Sequence, residues 1–564
     1  MRRRRYLHSL AGLVGSAGLT GQAASGRDVR SVDPTPRHAQ AVPRQSESAV
    51  GADTATRSET ATGTVSGAFE PLGRAALPTS AAGPYRAGEA VTTGDGAYAF
   101  VATVDGFRVV DLSTPADPTV VARRDAILAD REGGPLPGIL DLKYDRGYLL
   151  VAGPANGRTD LMGVALFDVT DPTDPSLRTF YGTEHSVHNC DLQGRYAYLT
   201  TGTALVVVDL ARADPQRVGR WSVVDHDDRY GDVSPSLRNL HDVVVHGDRA
   251  YLAYWDAGSW ILDVSDPADP SYLGHVAEYT AEELLELDEA EGVPFLEPPG
   301  NAHVAGPNGD GSLLAVGRES WDVETGPGDD VGGPSGIDLY DIADPSAPAH
   351  LATIDPPEPP AGESATRDGY WTTAHNFDVV GDYLYSSWYR GGVRIHDISD
   401  PADPVEVSAW ADGDRASFWT AQAAVPGEYV VASSLRDPTD REAPGALYVF
   451  PDPTDNPARA TRAPESDAFP DLNPTPTATL TPDDTALDGG DGPATATPGT
   501  PPGGSTTATP TATESDTPTA DAPVSGRSET DGTAPSTAAD GPGFGPLAAL
   551  AGLGLGAWRL RGDE

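Results

Sequence analysis

Six segments of this chain end an apolar run on aspartate and then turn on proline. Val109-Val110-Asp111 precedes Ala116-Asp117-Pro118, Leu166-Phe167-Asp168 precedes Thr173-Asp174-Pro175, and Val207-Val208-Asp209 precedes Asp214-Pro215. Ile261-Leu262-Asp263 precedes Ala268-Asp269-Pro270, Leu339-Tyr340-Asp341 precedes Ala347-Pro348, and Ile395-His396-Asp397 precedes Ala402-Asp403-Pro404. Leu447-Tyr448-Val449-Phe450 is a degenerate seventh. Such self-similarity marks an array of units, none of which buries its apolar face alone.

Each unit reads as four short strands. Within one, His375 to Val380 forms a strand and Gly381-Asp382 a turn, and Tyr383 to Trp388 forms the next strand. Val393 to Asp397 and Val405 to Trp410 follow, separated by the Asp-Pro turn. Apolar runs bounded by Gly, Asp and Pro are the strand and turn signals. Four strands per unit predicts an all-β, seven-bladed propeller, with second strands near Tyr98, Tyr148, Tyr198, Tyr251, Leu313, Tyr385 and Tyr429. The seventh unit lacks an outer strand. Phe69-Glu70-Pro71-Leu72-Gly73-Arg74 resembles the outer strand Pro270-Ser271-Tyr272-Leu273-Gly274-His275, so it is expected to close the ring and remove the open edge. Residues 458 to 463 are its competitor.

The strand written Trp260-Ile261-Leu262-Asp263 and Arg394-Ile395-His396-Asp397 resembles the LVIVD repeat family over about residues 67 to 451. That resemblance implies the propeller fold and leaves function open, because propellers host unrelated activities.

The flanks suggest export. Met1 to Arg5, a weakly apolar run and Ala23-Ala24-Ser25 form the parts of a signal peptide at 1–26; the arginines with Tyr6-Leu7 resemble a twin-arginine signal. A polar linker (27–66) precedes the propeller (67–463), and a Thr/Pro-rich stalk (464–541) follows; both flanks are expected to be disordered. Residues 542–564 open on Pro542-Gly543-Phe544, continue as an apolar run too short for a typical spanning helix, and end on arginines. They resemble an archaeal PGF-type sorting signal, which implies processing and a lipid or membrane anchor at the cell surface. The net charge is −46, from 84 acidic and 38 basic residues. Only Lys143 among the basic residues is lysine. The balance resembles that of salt-in halophiles, of haloarchaeal type. It offers no basic groove, so nucleic acid is not an expected partner. A monomeric propeller with a surface ligand or protein partner is expected. Cys190 is the one cysteine, so no intramolecular disulfide exists.

Stepping back ten residues from the second-strand tyrosine gives a column: Gly88, Gly138, His188, His241, His303 and His375. This position opens the innermost strand, beside the central channel. The loops between strands two and three lie on the same face and bring Trp255, Asp256, Glu319, Trp321, Trp388 and Arg390. The loop entering blade three adds Glu184 and His185. Imidazoles are common ligands of zinc and copper, and three ligands leave a coordination position open. The four histidines are therefore candidate metal ligands, with Asn189, Asp191, Asp242, Asn376 and Asp378 as candidates to orient the rings. Calcium at the Asp-rich turns is an alternative that Asx-turn chemistry makes unnecessary. No G-x-S-x-G elbow, P-loop or dinucleotide fingerprint appears. Two functions follow: an anchored surface-binding propeller, or a metal-dependent surface enzyme, an oxidoreductase among the possibilities. Thr280-Ala281-Glu282-Glu283 is a capping box expected to open a short rim helix reaching about Glu291.

Overall fold

The computed structural model describes residues 69–456, apart from 81–84, 213, 289–299, 322–332, 368 and 441. The expected signal, stalk and sorting segments lie outside these residues, as does the competitor strand at 458–463. No helix among the described residues is long and apolar enough to cross a membrane.

Twenty-eight strands form seven four-stranded antiparallel sheets. Numbered in chain order, β2 (Ala90–Thr92) to β5 (Thr119–Asp125) make blade one. Successive groups of four then make blades two to six, ending at β25 (Val405–Trp410). Blade seven is β26 (Phe418–Val425), β27 (Tyr429–Ser434), β28 (Gly445–Pro451) and, from the other end of the domain, β1 (Gly73–Leu77). β1 pairs antiparallel with β28, Gly73 opposite Val449 and Leu77 opposite Gly445. The expected closing strand is thus in place.

The core lies between blades. In β7 (Tyr148–Gly153), Leu149 and Val151 pack with Phe100, Phe107 and Val109 of blade one. Tyr148, Leu150 and Ala152 of the same strand pack with Leu199, Val206 and Val208 of blade three. Alternate side chains leave opposite faces of a strand, so a strand buried on both faces is apolar throughout. The same sharing joins blades four and five, five and six, six and seven, and seven and one.

The repeat's punctuation has two structural uses. Each strand-ending aspartate accepts a backbone N–H two residues on, Ser265 N to Asp263 at 2.8 Å and likewise at Asp168, Asp341 and Asp397, and the turn aspartate Asp266 does the same for Ala268 N at 3.0 Å. These are Asx turns, which account for the exposed carboxylates without calcium. The outer-strand glycine admits the next blade's proline turn. A Cβ on Gly274 would stand 1.6 Å from the Pro345 carbonyl oxygen, and one on Gly219 2.2 Å from that of Pro267. Gly73 meets Pro118 and Pro115 in the same way, so β1 repeats the outer-strand packing as well as the pairing. The rim helix spans Ala281–Asp288 with the reciprocal Thr280–Glu283 cap; Glu291 lies outside the described residues.

Candidate functional site

Strand register puts the four histidines at one position of the innermost strand. Counting back five residues from the partner of the residue opposite each strand-ending aspartate (or Asp341 in blade five) reaches His188, His241, His303 and His375. The same count reaches Gly88 in blade one but Leu140, not Gly138, in blade two. The second-strand tyrosines are not all equivalent: Tyr98 and Tyr148 face the closing aspartate, whereas Tyr198, Tyr251 and Tyr385 sit two residues further on. Gly138 instead takes a left-handed turn, with φ 62°.

The imidazoles form a continuous arc. Ring centroids are 4.3 Å apart for His188–His241, 4.0 Å for His241–His303 and 4.6 Å for His303–His375. Trp419 of blade seven continues it, 4.2 Å from His375. Backbone carbonyls orient three of the rings. Nδ1 of His188 meets the Ala155 oxygen at 2.9 Å, that of His241 the His303 oxygen at 3.0 Å, and that of His375 the Trp419 oxygen at 2.6 Å. A carbonyl only accepts, so the proton sits on Nδ1 and Nε2 keeps its lone pair. Burial favours this neutral form: it depresses His188, takes His241 well below the usual histidine range and takes His375 to about 3. His375 Nε2 is buried and has no hydrogen-bond partner.

Glu319, at the end of β19 (Leu313–Glu319), supplies the carboxylate. It is 3% exposed, and its Oε2 lies 3.2 Å from His303 Nδ1, without the alignment of a good hydrogen bond. Its Oε1 accepts from Tyr389 Oη at 2.6 Å. Burial pushes this carboxyl up, but His303, His375 and the Tyr389 hydroxyl outweigh it and hold it at about 2. One ligand atom each from His303, Glu319 and His375 lie within 4.8 Å of one another. Atoms on a common zinc ion at about 2.0–2.1 Å stand roughly 3.3 Å apart, so side-chain adjustments of about 1 Å would close the group. The triad is therefore two of the four expected histidines plus Glu319, while His241 and His188 extend the arc beside it.

The other expected residues divide. Trp255 lies 6.2 Å from His241 and edge-on to Trp321 at 5.9 Å, so both line the mouth. Asp256 is buried in the same loop. Arg390 stacks on Tyr370 and donates to the Gly413 and Gly369 carbonyls, bracing the rim. Glu184 and His185 are exposed, and none of their contacts joins them to the arc. Trp388 is fully buried between blades five and six and donates to Ser386 Oγ; it is a core residue. Tyr389 beside it turns left-handed (φ 46°) and faces the mouth instead. Three mouth residues carried no sequence signal: Trp371, stacked on Tyr389 at 3.7 Å, Arg367 and Arg436.

One to three residues along the innermost strand from the histidines lies a second layer, in which the Asn376 amide oxygen is buried without a partner but the charged groups are bonded. Glu89 accepts from Asn376 Nδ2 at 2.6 Å and Thr420 Oγ1 at 3.0 Å. Asp141 accepts from Lys143 Nζ at 2.5 Å and the Cys190 amide at 2.7 Å. Asn189 donates to the His241 carbonyl, while Asp191 and Asp378 accept from Val245 and Ala423 amides of the next blade. These residues stitch strands together; the ring orientation comes from the backbone carbonyls. Burial pushes Lys143 down, but Asp141, Glu89 and Asp242 overcome it and hold the ammonium well above its ordinary value. Burial pushes Glu89 up to about 7 and Asp191 up to about 6, and holds Asp242 well above the usual carboxylate range.

The LVIVD repeat matches at residues 95–125, 238–278 and 373–412, so the chain carries LVIVD repeats on a propeller, an interaction-type domain. No curated protein matches the chain in sequence. Among solved structures, it is similar to the β-propeller domain of Cps50 (Swd1) from Myceliophteria thermophila. The identity is 12%, the likeness covers 67% of this chain and 99% of that one, and the TM-score is 0.43. U3-55K matches at 9% identity over 68% and 99% of the two chains (TM-score 0.46), and the RRP9 WD40 repeats at 11% over 68% and 99% (0.47). These likenesses extend to neither a ligand nor an activity.

Proposed function

We propose that this is an exported, surface-anchored recognition propeller that captures its ligand at a divalent metal ion held by His303, His375 and Glu319. One observation carries the reading: two imidazoles and an ionised carboxylate, all buried, converge, and a nitrogen of each imidazole, His303 Nδ1 and His375 Nε2, has no hydrogen-bond partner. A buried polar atom without a partner is costly, and a bound ion removes that cost. A His2Glu set suits zinc and leaves a position open for a ligand; copper also accepts imidazole. The Trp419 carbonyl behind His375 fixes the tautomer that a metal ligand needs. Export and anchoring rest on the twin-arginine-like and PGF-like segments of the sequence.

The test is a cobalt titration of chelator-stripped protein at high salt. The reading expects one equivalent to give a tetrahedral or five-coordinate visible band, shifted or abolished by Glu319→Gln. No saturable band in a folded protein would end it. A catalytic reading draws on the same open position, where a metal-bound water becomes acidic near neutral pH; turnover in the loaded protein, absent from the stripped one, would favour it over capture alone.

A further inference from the structure

Two arginines of this acidic chain, Arg367 and Arg436, lie among the aromatic side chains of the channel mouth. Arg108, Arg195, Arg318 and Arg394 each rest on carboxylates. Among the described residues, no carboxylate forms an ion pair with Arg367 or Arg436, and both lie at the channel mouth. Arg367 lies 5.3 Å from the Trp321 ring and 5.6 Å from that of Trp371, and donates to Tyr85 Oη at 3.1 Å. Its guanidinium is thereby clamped in one orientation. Arg436 follows Leu435, which packs with Leu140, Trp371, Tyr389 and Trp419 in the wall of the mouth. Its Nε is buried and has no hydrogen-bond partner. Arg436 feels the charge of Arg367 and the nearby Tyr85 and Tyr389 hydroxyls.

Arg367 lies over Trp371, the ring against which Leu435 packs beside Arg436, and two guanidiniums on one wall repel each other unless something negative sits between them. Planar guanidinium donors match carboxylate and phosphate geometry, and Arg is favoured where such groups are recognised. Tyr389 links this pair to the metal candidate, since its hydroxyl donates to Glu319 while its ring stacks on Trp371. The aromatic walls add apolar surface on either side.

We propose that Arg367 and Arg436 form an oxyanion clamp that seats the carboxylate or phosphate of a small ligand at the channel mouth. This deepens the metal reading by naming the ligand's charge: the anion's head group lies on the arginines, with the rest of the molecule toward Glu319. The clamp belongs to the protein and holds without the ion.

The experiment titrates the full, chelator-stripped chain with acetate, benzoate and inorganic phosphate at fixed ionic strength, followed by tryptophan fluorescence, because two indoles flank Arg367. We expect saturable binding of one anion, at least tenfold weaker in Arg436→Gln and Arg367→Gln and unchanged in Arg217→Gln on the exposed outer strand of blade three. Preference for acetate or benzoate assigns a carboxylate ligand; preference for phosphate assigns a phosphate ester. Both substituted proteins must keep the wild-type circular dichroism; if one does not, the other decides. Binding in the stripped protein supports the clamp even if no metal is ever found. Anion binding that appears only with metal and ignores both substitutions overturns it. So does binding that is absent, or that follows ionic strength alone.

Discussion

Two layers of the same channel, one to three residues apart along the innermost strands, are built to opposite rules. In the inner layer every named charge has a partner: Lys143 on Asp141, Glu89 on Asn376 and Thr420, and Asp191 on the next blade's amide. At the mouth, His375 Nε2 and Arg436 Nε are buried and unpaired. Leaving a buried polar group unsatisfied costs about 1–3 kcal/mol; among the inner-layer residues named here the neutral Asn376 amide oxygen bears that cost, whereas the charged groups of that layer avoid it. The contrast teaches that the inner layer holds the ring together, whereas the mouth is left incomplete for a guest.

The sharpest way to break this comparison is to remove one charge from each layer. Lys143→Met strands Asp141 and its neighbours without their ammonium. It should cost about 3–5 kcal/mol, the usual penalty for breaking a buried pair from one side, read by denaturant unfolding at fixed high salt. His375→Gln at the mouth should cost less than about 2 kcal/mol, since it gives up one hydrogen bond to a carbonyl. Equal losses would mean that the mouth is structural too.

A second effect is pH-dependent, and its sign follows from the inner layer. Glu89 titrates near 7 in the fold against an ordinary 4.5. Between those values the folded Glu89 binds a proton that the unfolded one has lost, so its contribution to stability falls as pH rises from about 4.5 to 7 and levels off above. Asp191 adds the same trend up to about 6. Glu319 acts oppositely: held at about 2, it contributes stability above 4.5 that is lost as pH falls toward 2. The buried histidines oppose the carboxylates: His188, His241 and His375 are held below their ordinary value, so their contribution grows as pH rises toward about 6.5. The prediction is therefore differential: the stability of the wild type relative to Glu89→Gln should fall as pH rises from about 4.5 to 7 and stay level above. A difference that stays constant or grows over that range would contradict this.

The smallest effect belongs to the exposed turns. Asp266→Ala removes one Asx hydrogen bond and should cost about 0.5–1.5 kcal/mol, with or without millimolar calcium. A melting temperature that rises with calcium in the wild type alone would reinstate an ion there.

The fold was legible because its signals are local. Aspartate turns and apolar runs recur from unit to unit, and Phe69 to Arg74 shares the outer-strand glycine of blades three and four. The histidine column was legible because all four sit at one register. Blade two was misaligned, since tyrosine occupies either of two positions two residues apart and period-2 side chains face the same way from both. The rest of the mouth was hidden for a different reason. Tyr389 faces the channel because its left-handed backbone breaks the alternation that placed Trp388 there. Arg367 and Arg436 come from loops of different blades, and nothing in sequence brings them together.

The most direct test of the central claim is elemental analysis of the full protein purified from its own host, beside Glu319→Gln, His375→Ala and Arg217→Gln. The account predicts about one equivalent of zinc or copper in the wild type and in Arg217→Gln, and none in the two mouth variants. A folded wild type without metal, or metal retained by both mouth variants, would contradict it.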